Sequence, residues 1–354
     1  MPLADRPNVV FVLNGLGMGG AEAQLLSILE AEPAAYQGVK VEVLTLTQQR
    51  HPPFVEQLSK LGVSLHTIDR SSQSSIAFFA NLVRFFRAQR PSLVHVMLAG
   101  TTSTWGRAAA ILAGVPRIVL SDLSLEPPRT RTQRMLDPWL HRFTHRFLPN
   151  ANAIARRLQR EGAARERIQV VRNGVNLERF NPDVWTPDRI AHQRATWGAG
   201  SEETIVGFLG RLQPEKRPDL ALDAVLALPI DRRPDRLWFA GEGSEREELE
   251  ARIASDPWAA RHVELLGVVD DAAAFLAAID VLLLTSDTEG YPNAVLEAAA
   301  MGRPVVATRV SDLPELLGED AVVPTGNAQA LAERLANLLA TNPDELHAQT
   351  QVLK

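Results

Sequence analysis

D-V-L-L-L-T-S-D-T-E-G-Y-P-N-A-V-L-E, Asp280 to Glu297, changes character twice in a short span. Its apolar start, rich in Val and Leu and closing on Thr285 and Ser286, reads as a buried parallel strand. Val295 to Met301 is rich in Ala, Leu and Glu and reads as a helix, with Pro292 tolerated near its first turn, where the missing N–H has no partner anyway. A buried strand feeding a helix through a short polar loop is the unit of a doubly wound sheet, whose ligands sit at the carboxyl ends of the strands. Glu289 then lies in that crevice and Glu297 about two turns into the helix on the same side, with the amides of Asn293, Ala294 and Val295 aimed at an anion between them. The plain alternative is a capped surface helix with two solvated acids.

The same alternation runs outward in both directions. Strands are expected at Val9–Leu13, Val39–Leu46, Val63–Ile68, Leu93–Leu98, Arg117–Leu120 and Arg146–Pro149, then at Thr204–Leu209, Leu237–Ala240, His262–Leu265, Val281–Leu284, Pro304–Ala307 and Ala321–Val323, with helical patterns between most of them. Strand–helix alternation implies parallel sheets covered on both faces. Between the sixth and seventh strands lies N-G-V-N-L-E-R-F-N-P-D, Asn173 to Asp183, rich in turn formers. It divides an α/β chain into two Rossmann-like domains, 1–175 and 176–354, and the cleft between two such domains is the default ligand site.

A chain of 354 residues fits two domains. There is no long uninterrupted apolar run, and the N-terminus leads straight into a strand, so neither a membrane span nor a signal peptide is expected and the location reads as cytoplasmic. Cysteine is absent, which excludes a disulfide scaffold, a thiolate metal site and a cysteine nucleophile. The net charge of −5 hides an asymmetry: residues 1–180 carry 22 Lys/Arg against 13 Asp/Glu, the remainder 15 against 29. A basic first half suits a phosphate-bearing substrate or an anionic lipid surface. Nucleic acid is not expected, because the basic residues form no recognisable binding motif with aromatics.

Two further segments carry chemistry. N-G-L-G-M-G-G-A-E, Asn14 to Glu22, is a glycine-rich loop opening a helix, where backbone can approach a phosphate. Gly15, Gly17 and Gly20 satisfy G-x-G-x-x-G, but a nicotinamide site needs an acid at the end of the second strand; that strand ends T-L-T-Q-Q, with Glu42 too early. In G-R-L-Q-P-E-K-R-P-D-L, Gly210 to Leu220, Arg211 closes a strand and Lys216 stands near the next helix, so both cations can converge on one crevice. A cation near a helix N-terminus is disfavoured by the macrodipole, so Lys216 answers either a ligand's charge or a surface partner such as Glu215 or Asp219.

In this order, and with V-R-N-G-V-N-L-E-R-F (Val171 to Phe180) between them, these segments resemble the retaining glycosyltransferases of family 4, which have the GT-B fold; E-G-Y-P-N-A-V-L-E matches the E-x7-E signature of that family. The resemblance implies two facing Rossmann-like domains and a nucleotide-sugar donor, a UDP-sugar. It implies that Glu289 contacts the donor sugar and Glu297 the ribose, and that Arg211 and Lys216 neutralise the diphosphate. Gly19 and Gly20 approach the diphosphate from the other domain, Gly290, Tyr291, Pro292, Asn293, Ala294 and Val295 hold sugar and phosphate, and backbone near Val268 reads the base. Fixed cations and amides stabilise the charge on a departing diphosphate, so no metal and no further cofactor is implied.

The chain departs from the family pattern where R-I-V-L-S-D-L-S, Arg117 to Ser124, has Ser121 and Asp122 after a strand that carries a histidine in many members. Asp122 becomes the candidate for orienting the acceptor hydroxyl, while His95 reads either as a cleft residue or as a packed strand histidine. The last residues, H-A-Q-T-Q-V-L-K, fall short of the crossing helix common in the family. On the acceptor side, Gln73 to Arg90 is a helix with Ile76, Phe79, Leu82, Val83 and Phe86 as its core stripe and Phe78 and Phe85 towards the edge. This helix and the basic run Arg129 to Arg146 each read first as a solvated face; a basic helix with spare aromatics also fits an anionic bilayer, and would point to a lipid-linked saccharide acceptor in bacterial surface polysaccharide or glycolipid synthesis. Two other functions remain open: a nucleotide-sugar epimerase, and a nucleotide-sugar-binding protein without turnover.

Overall fold

A computed structural model describes residues 7–17, 19–31, 38–98, 100–125 and 129–340. The chain divides into two compact units, Met1–Gly174 and Val175–Lys354. The final segment flagged above, 341–354, lies outside the described residues. Among the described residues, no helix is long and apolar enough to cross a membrane.

The first unit runs β1 (Asn8–Leu13), α1 (Gly20–Ala31), β2 (Lys40–Thr45), α2 (Pro52–Lys60), β3 (Ser64–Thr67), α3 (Ser75–Gln89), β4 (Leu93–Met97), α4 (Thr101–Ala113), β5 (Ile118–Ser121), α5 (Arg131–Phe143), β6 (Arg146–Phe147) and α6 (Asn152–Arg160). Its six strands are parallel, in the order β3-β2-β1-β4-β5-β6. Alternation along β1 sends Phe11 and Leu13 into one core with Leu25, Leu29 and Leu58, and Val12 to the other face, against α4. There Gly106 lets α4 settle on Val12 and Val96; a Cβ would lie 3.2 Å from the Val96 side chain. Helices α3, α4 and α5 pack side by side in that order.

The stripe of α3 differs from the expected one. Phe78, Leu82, Val83 and Phe86 are buried, whereas Ile76 is 84% exposed. The i, i+4, i+8 row through Phe78, Leu82 and Phe86 is the fully buried one, and the rings of Phe78 and Phe79 both lie against Trp105 of α4, at 5.8 and 5.6 Å. Ile76 sits in the first turn, off that row.

The second unit runs α7 (Pro187–Thr196), β7 (Ile205–Leu209), α8 (Pro218–Leu226), β8 (Arg236–Ala240), α9 (Arg246–Ser255), α10 (Ala259–His262), β9 (Val263–Gly267), α11 (Ala272–Ala278), β10 (Val281–Leu284), α12 (Asn293–Ala300), β11 (Val305–Thr308), α13 (Leu313–Leu317), β12 (Val322–Val323) and α14 (Ala328–Leu339). Its sheet is also parallel, in the order β12-β11-β10-β7-β8-β9. Every residue of β10 is buried because successive side chains enter different cores: Leu282 and Leu284 join Trp238, Phe275 and Val295, while Val281 and Leu283 join Leu222, Phe239 and Leu335. Each such side chain contributes about 2 kcal/mol of burial. This double demand produces the unbroken V-L-L-L run.

Candidate active site

In the second sheet the chain steps outward from β7 through β8 to β9, then returns to lay β10 on the other side of β7. The β7/β10 junction is therefore the topological switch point, where loops diverge and leave a crevice at the carboxyl ends. The loops that emerge there, 210–217 and 285–292, are tied together. Thr285 Oγ1 donates to the carbonyls of Lys216 at 3.0 Å and Arg217 at 2.7 Å, and Asp287 N donates to the Glu215 carbonyl at 2.9 Å. Thr308 Oγ1, from β11, holds the Ser286 carbonyl at 2.6 Å. Arg217 takes a left-handed conformation, φ 51 and ψ 56, between a 3-10 turn over Pro214–Lys216 and α8. Its guanidinium reaches both Asp219 and Asp287, and a kink of about 1–3 kcal/mol is held in place by these contacts.

The turn sets Lys216 against Glu289, Nζ to Oε1 2.5 Å, with side-chain exposures of 21% and 9%. Ser286 Oγ donates to the same oxygen at 2.7 Å. The Lys216 partner is thus neither Glu215 nor Asp219 but the first carboxylate of the signature. Arg211 follows β7 with its side chain 60% exposed and a 3.2 Å contact to Glu215, leaving most of its guanidinium facing water.

Glu297 lies half-buried just over one turn into α12, nearer its start than the expected two turns. Among the described residues its carboxylate makes no hydrogen bond or ion pair, and burial pushes its pKa up to about 7, with Arg179 pulling the other way. Arg179 also lies 3.8 Å from Asp271 and rests on the Phe180 ring. At the start of α12, Pro292 occupies the cap position with no side-chain cap, and the Val295 amide is bonded to the Pro292 carbonyl at 3.2 Å. Gly290, Tyr291 and Pro292 are buried around this corner, with Asn293 and Ala294 half-buried. Val268 is exposed directly after β9.

In the first unit the glycine loop folds back on the residues after β2. Leu16 N donates to Gln49 O at 2.8 Å and His51 N to Leu16 O at 2.6 Å. A Cβ on Gly15 would lie 2.7 Å from Thr47 Oγ1, and one on Gly17 2.7 Å from Gln49 Nε2. Gly19 precedes α1 and Gly20 opens it, half-buried and exposed respectively. Asp122 is buried after β5, its carboxylate 2.5 Å from Arg157 Nη2; burial raises its pKa and Arg157 opposes the rise. His95, on β4, bonds Ser121 Oγ through Nε2 at 2.8 Å and lies against the Phe11 ring; burial pushes its pKa down to about 4, so the imidazole is neutral near pH 7.

The sequence pattern of Glycosyltransferase Family 4 matches residues 18–179, and that of Glycosyl transferases group 1 matches residues 203–341. The D-inositol 3-phosphate glycosyltransferase of Saccharomonospora viridis is 30% identical over 347 residues, covering 86% of this chain and 78% of that protein. The chain belongs to glycosyltransferase family 4. The protein of the same name from Streptomyces scabiei is 29% identical over 368 residues, covering 93% of the glycosyltransferase described here and 80% of its own length. Among solved structures, Anabaena Alr3699/HepE in complex with UDP and glucose superposes with a TM-score of 0.81 at 20% identity, covering 98% of this chain and 94% of that one, which shows a shared fold.

Three features of this family 4 glycosyltransferase escaped sequence reading. Arg179 sits in the quoted L-E-R-F stretch, yet nothing local marks it as a neighbour of Glu297. Gly241 and Gly243 keep the loop after β8 against the loop after β7: a Cβ on either would lie 1.9 Å from a backbone carbonyl, of Gly210 and Leu212 respectively. Finally, Asp122 belongs to a buried chain of ion pairs, Asp122–Arg157–Glu161–Arg129–Asp137–Arg107, linking β5, α6, α5 and α4. Bonded partners in it are up to 35 positions apart in the chain, so spacing gives no hint of it.

Proposed function

We propose that the second unit binds a UDP-sugar and that the enzyme transfers its sugar, with retention at the anomeric carbon and without a metal, to a hydroxyl of a saccharide or lipid-linked acceptor. The observation that carries this reading is the Lys216–Glu289 pair at the switch point, with exposed Arg211 on the same loop as Lys216 and the unpaired carboxylate of Glu297 on the adjoining helix. Breaking a sugar–phosphate bond leaves a diphosphate with added negative charge, which fixed cations stabilise where it develops. Lys216 and Glu289 satisfy each other in this structure. On donor binding Lys216 and Arg211 turn to the phosphates, which releases Glu289 to accept hydrogen bonds from sugar hydroxyls. Glu297, once ionised, accepts from the ribose hydroxyls. Gly290, Tyr291, Pro292, Asn293 and Ala294 shape the wall around sugar and phosphate, and the backbone at Val268 reads the base.

In the first unit, Asp122 serves by fixing the β5 loop through Arg157, with Ser121 and neutral His95 as the groups placed to orient an acceptor hydroxyl. The relatives supply a second acceptor reading, an inositol phosphate, since those at 29–30% identity are D-inositol 3-phosphate glycosyltransferases. The basic first half accommodates either a phosphorylated polyol or a phosphate-bearing lipid carrier. A role in surface polysaccharide or glycolipid synthesis belongs to the lipid-linked reading.

The test is a panel of nucleotide sugars screened for thermal stabilisation, followed by NMR of the product with saccharide and inositol phosphate acceptors. A UDP-sugar should raise the melting temperature and yield a product of unchanged anomeric configuration. Stabilisation by no nucleotide sugar would end the proposal. Isomerisation of the donor without acceptor would replace it by an epimerase, and binding without product from any acceptor by a non-catalytic binder.

A further inference from the structure

We infer that the outer surface of α3, α4 and α5 docks on an anionic lipid bilayer. The two basic segments, weighed separately in the sequence, belong to one helical layer, because α4 packs against both α3 and α5. Between α3 and α4 runs a groove of about 490 Å³ lined by Ile76, Phe79, Trp105 and Leu112, with Arg84 and Arg87 along it. Ile76 and Leu112 are exposed there. On α5 a second apolar row, Met135, Trp139 and Phe143 at i, i+4 and i+8, is also exposed; Met135 is 80% accessible, and the Trp139 and Phe143 rings touch at 4.8 Å.

Charge selects the occupant. The only acid in the three helices is Asp137, and it is buried between Arg107 and Arg129. Arg84, Arg87, Arg131, Arg134 and Arg142 are all exposed, so the surface of this layer carries arginines and no carboxylates. Large apolar side chains with an indole among them, spread over three helices and bordered by one sign of charge, match the headgroup region of a bilayer, where rings sit at the interface and arginines meet lipid phosphates. A folded partner would need one complementary shape for both the groove and the α5 row, whereas a fluid surface adapts to each.

The full chain is mixed with vesicles of phosphatidylcholine containing roughly one-third phosphatidylglycerol, and with pure phosphatidylcholine vesicles, and sedimented at low and high salt. Wild type should pellet with the anionic vesicles only, and less at high salt. Ile76→Ser combined with Trp139→Ser, and separately Arg84→Glu combined with Arg134→Glu, should each weaken binding about tenfold. All four positions are exposed, and an unchanged melting temperature confirms that the variants fold. Wild type that stays in the supernatant, variants that pellet like wild type, or equal binding to both vesicles would overturn the inference. So would a dimer in light scattering that the same substitutions dissociate, since a second copy would then be the occupant.

Discussion

Replacing Glu297 by Gln should stabilise the second unit at alkaline pH and do little in acid. An acid whose folded value is about 7 against an ordinary 4.5 costs the folded state up to about 3 kcal/mol once ionised. The sign follows from the direction: the folded pKa is raised, so the stability present below pH 4.5 is lost progressively as the pH rises through about 7. Glutamine keeps the shape and never ionises. At pH 8 the variant should therefore gain up to about 3 kcal/mol, or roughly 6–12 °C in melting temperature for a unit of this size, and near pH 5 about 1 kcal/mol or less. Denaturation of both proteins at the two pH values reads this directly. An equal gain at pH 5 and pH 8 would attribute the effect to packing, and a loss at pH 8 would show that the carboxylate is stabilised rather than strained. The same substitution should weaken UDP-sugar binding, because an amide offers one neutral accepting oxygen to the ribose hydroxyls where a carboxylate offers two charged ones. Wild-type donor binding near pH 6.5 should release a proton, measurable by calorimetry in buffers of different ionisation enthalpy.

Three further outcomes follow from contacts already described. Lys216→Ala removes the partner of a carboxylate that is almost out of water, so it should cost about 2 kcal/mol and weaken UDP-sugar affinity; unchanged affinity by titration would contradict the donor site. Gly243→Ala places a Cβ 1.9 Å from the Leu212 carbonyl, and since backbone cannot swing aside it should lose about 3 kcal/mol in chemical denaturation; wild-type stability would refute the close approach. Arg157→Met strands buried Asp122 and should cost about 3–5 kcal/mol, with part of the loss recovered on adding Asp122→Asn; additivity of the two in a double-mutant cycle would deny their coupling.

The strands were legible because parallel strands buried on both faces read as unbroken apolar runs, and β10 appears with the limits expected for it, Val281 to Leu284. Their order was not written in any local pattern, since it depends on which strand the chain returns to. Glu289 and Lys216 could be proposed from type and position, but their mutual pairing is set by the left-handed turn at Arg217, a conformation that an arginine does not announce. In α3 the stripe differs from the expected one at Ile76 and Phe78, because several phenylalanines on one helix offer more than one plausible apolar row and only burial in the folded unit chooses between them. The arginine–carboxylate chain through Asp122 was invisible for the opposite reason: each member reads alone as a surface charge.

The two glycines after β8 have a consequence for how this family 4 enzyme can diversify. With Gly241 and Gly243 pressed main chain to main chain against Gly210 and Leu212, the segment that presents Arg211 is braced like one leaf of a laminate, and cannot flex or swell to suit a bulkier ligand. On the proposed reading of this crevice as the donor site, a change in the donor accepted is expected in side chains at its rim and not in this stretch of backbone.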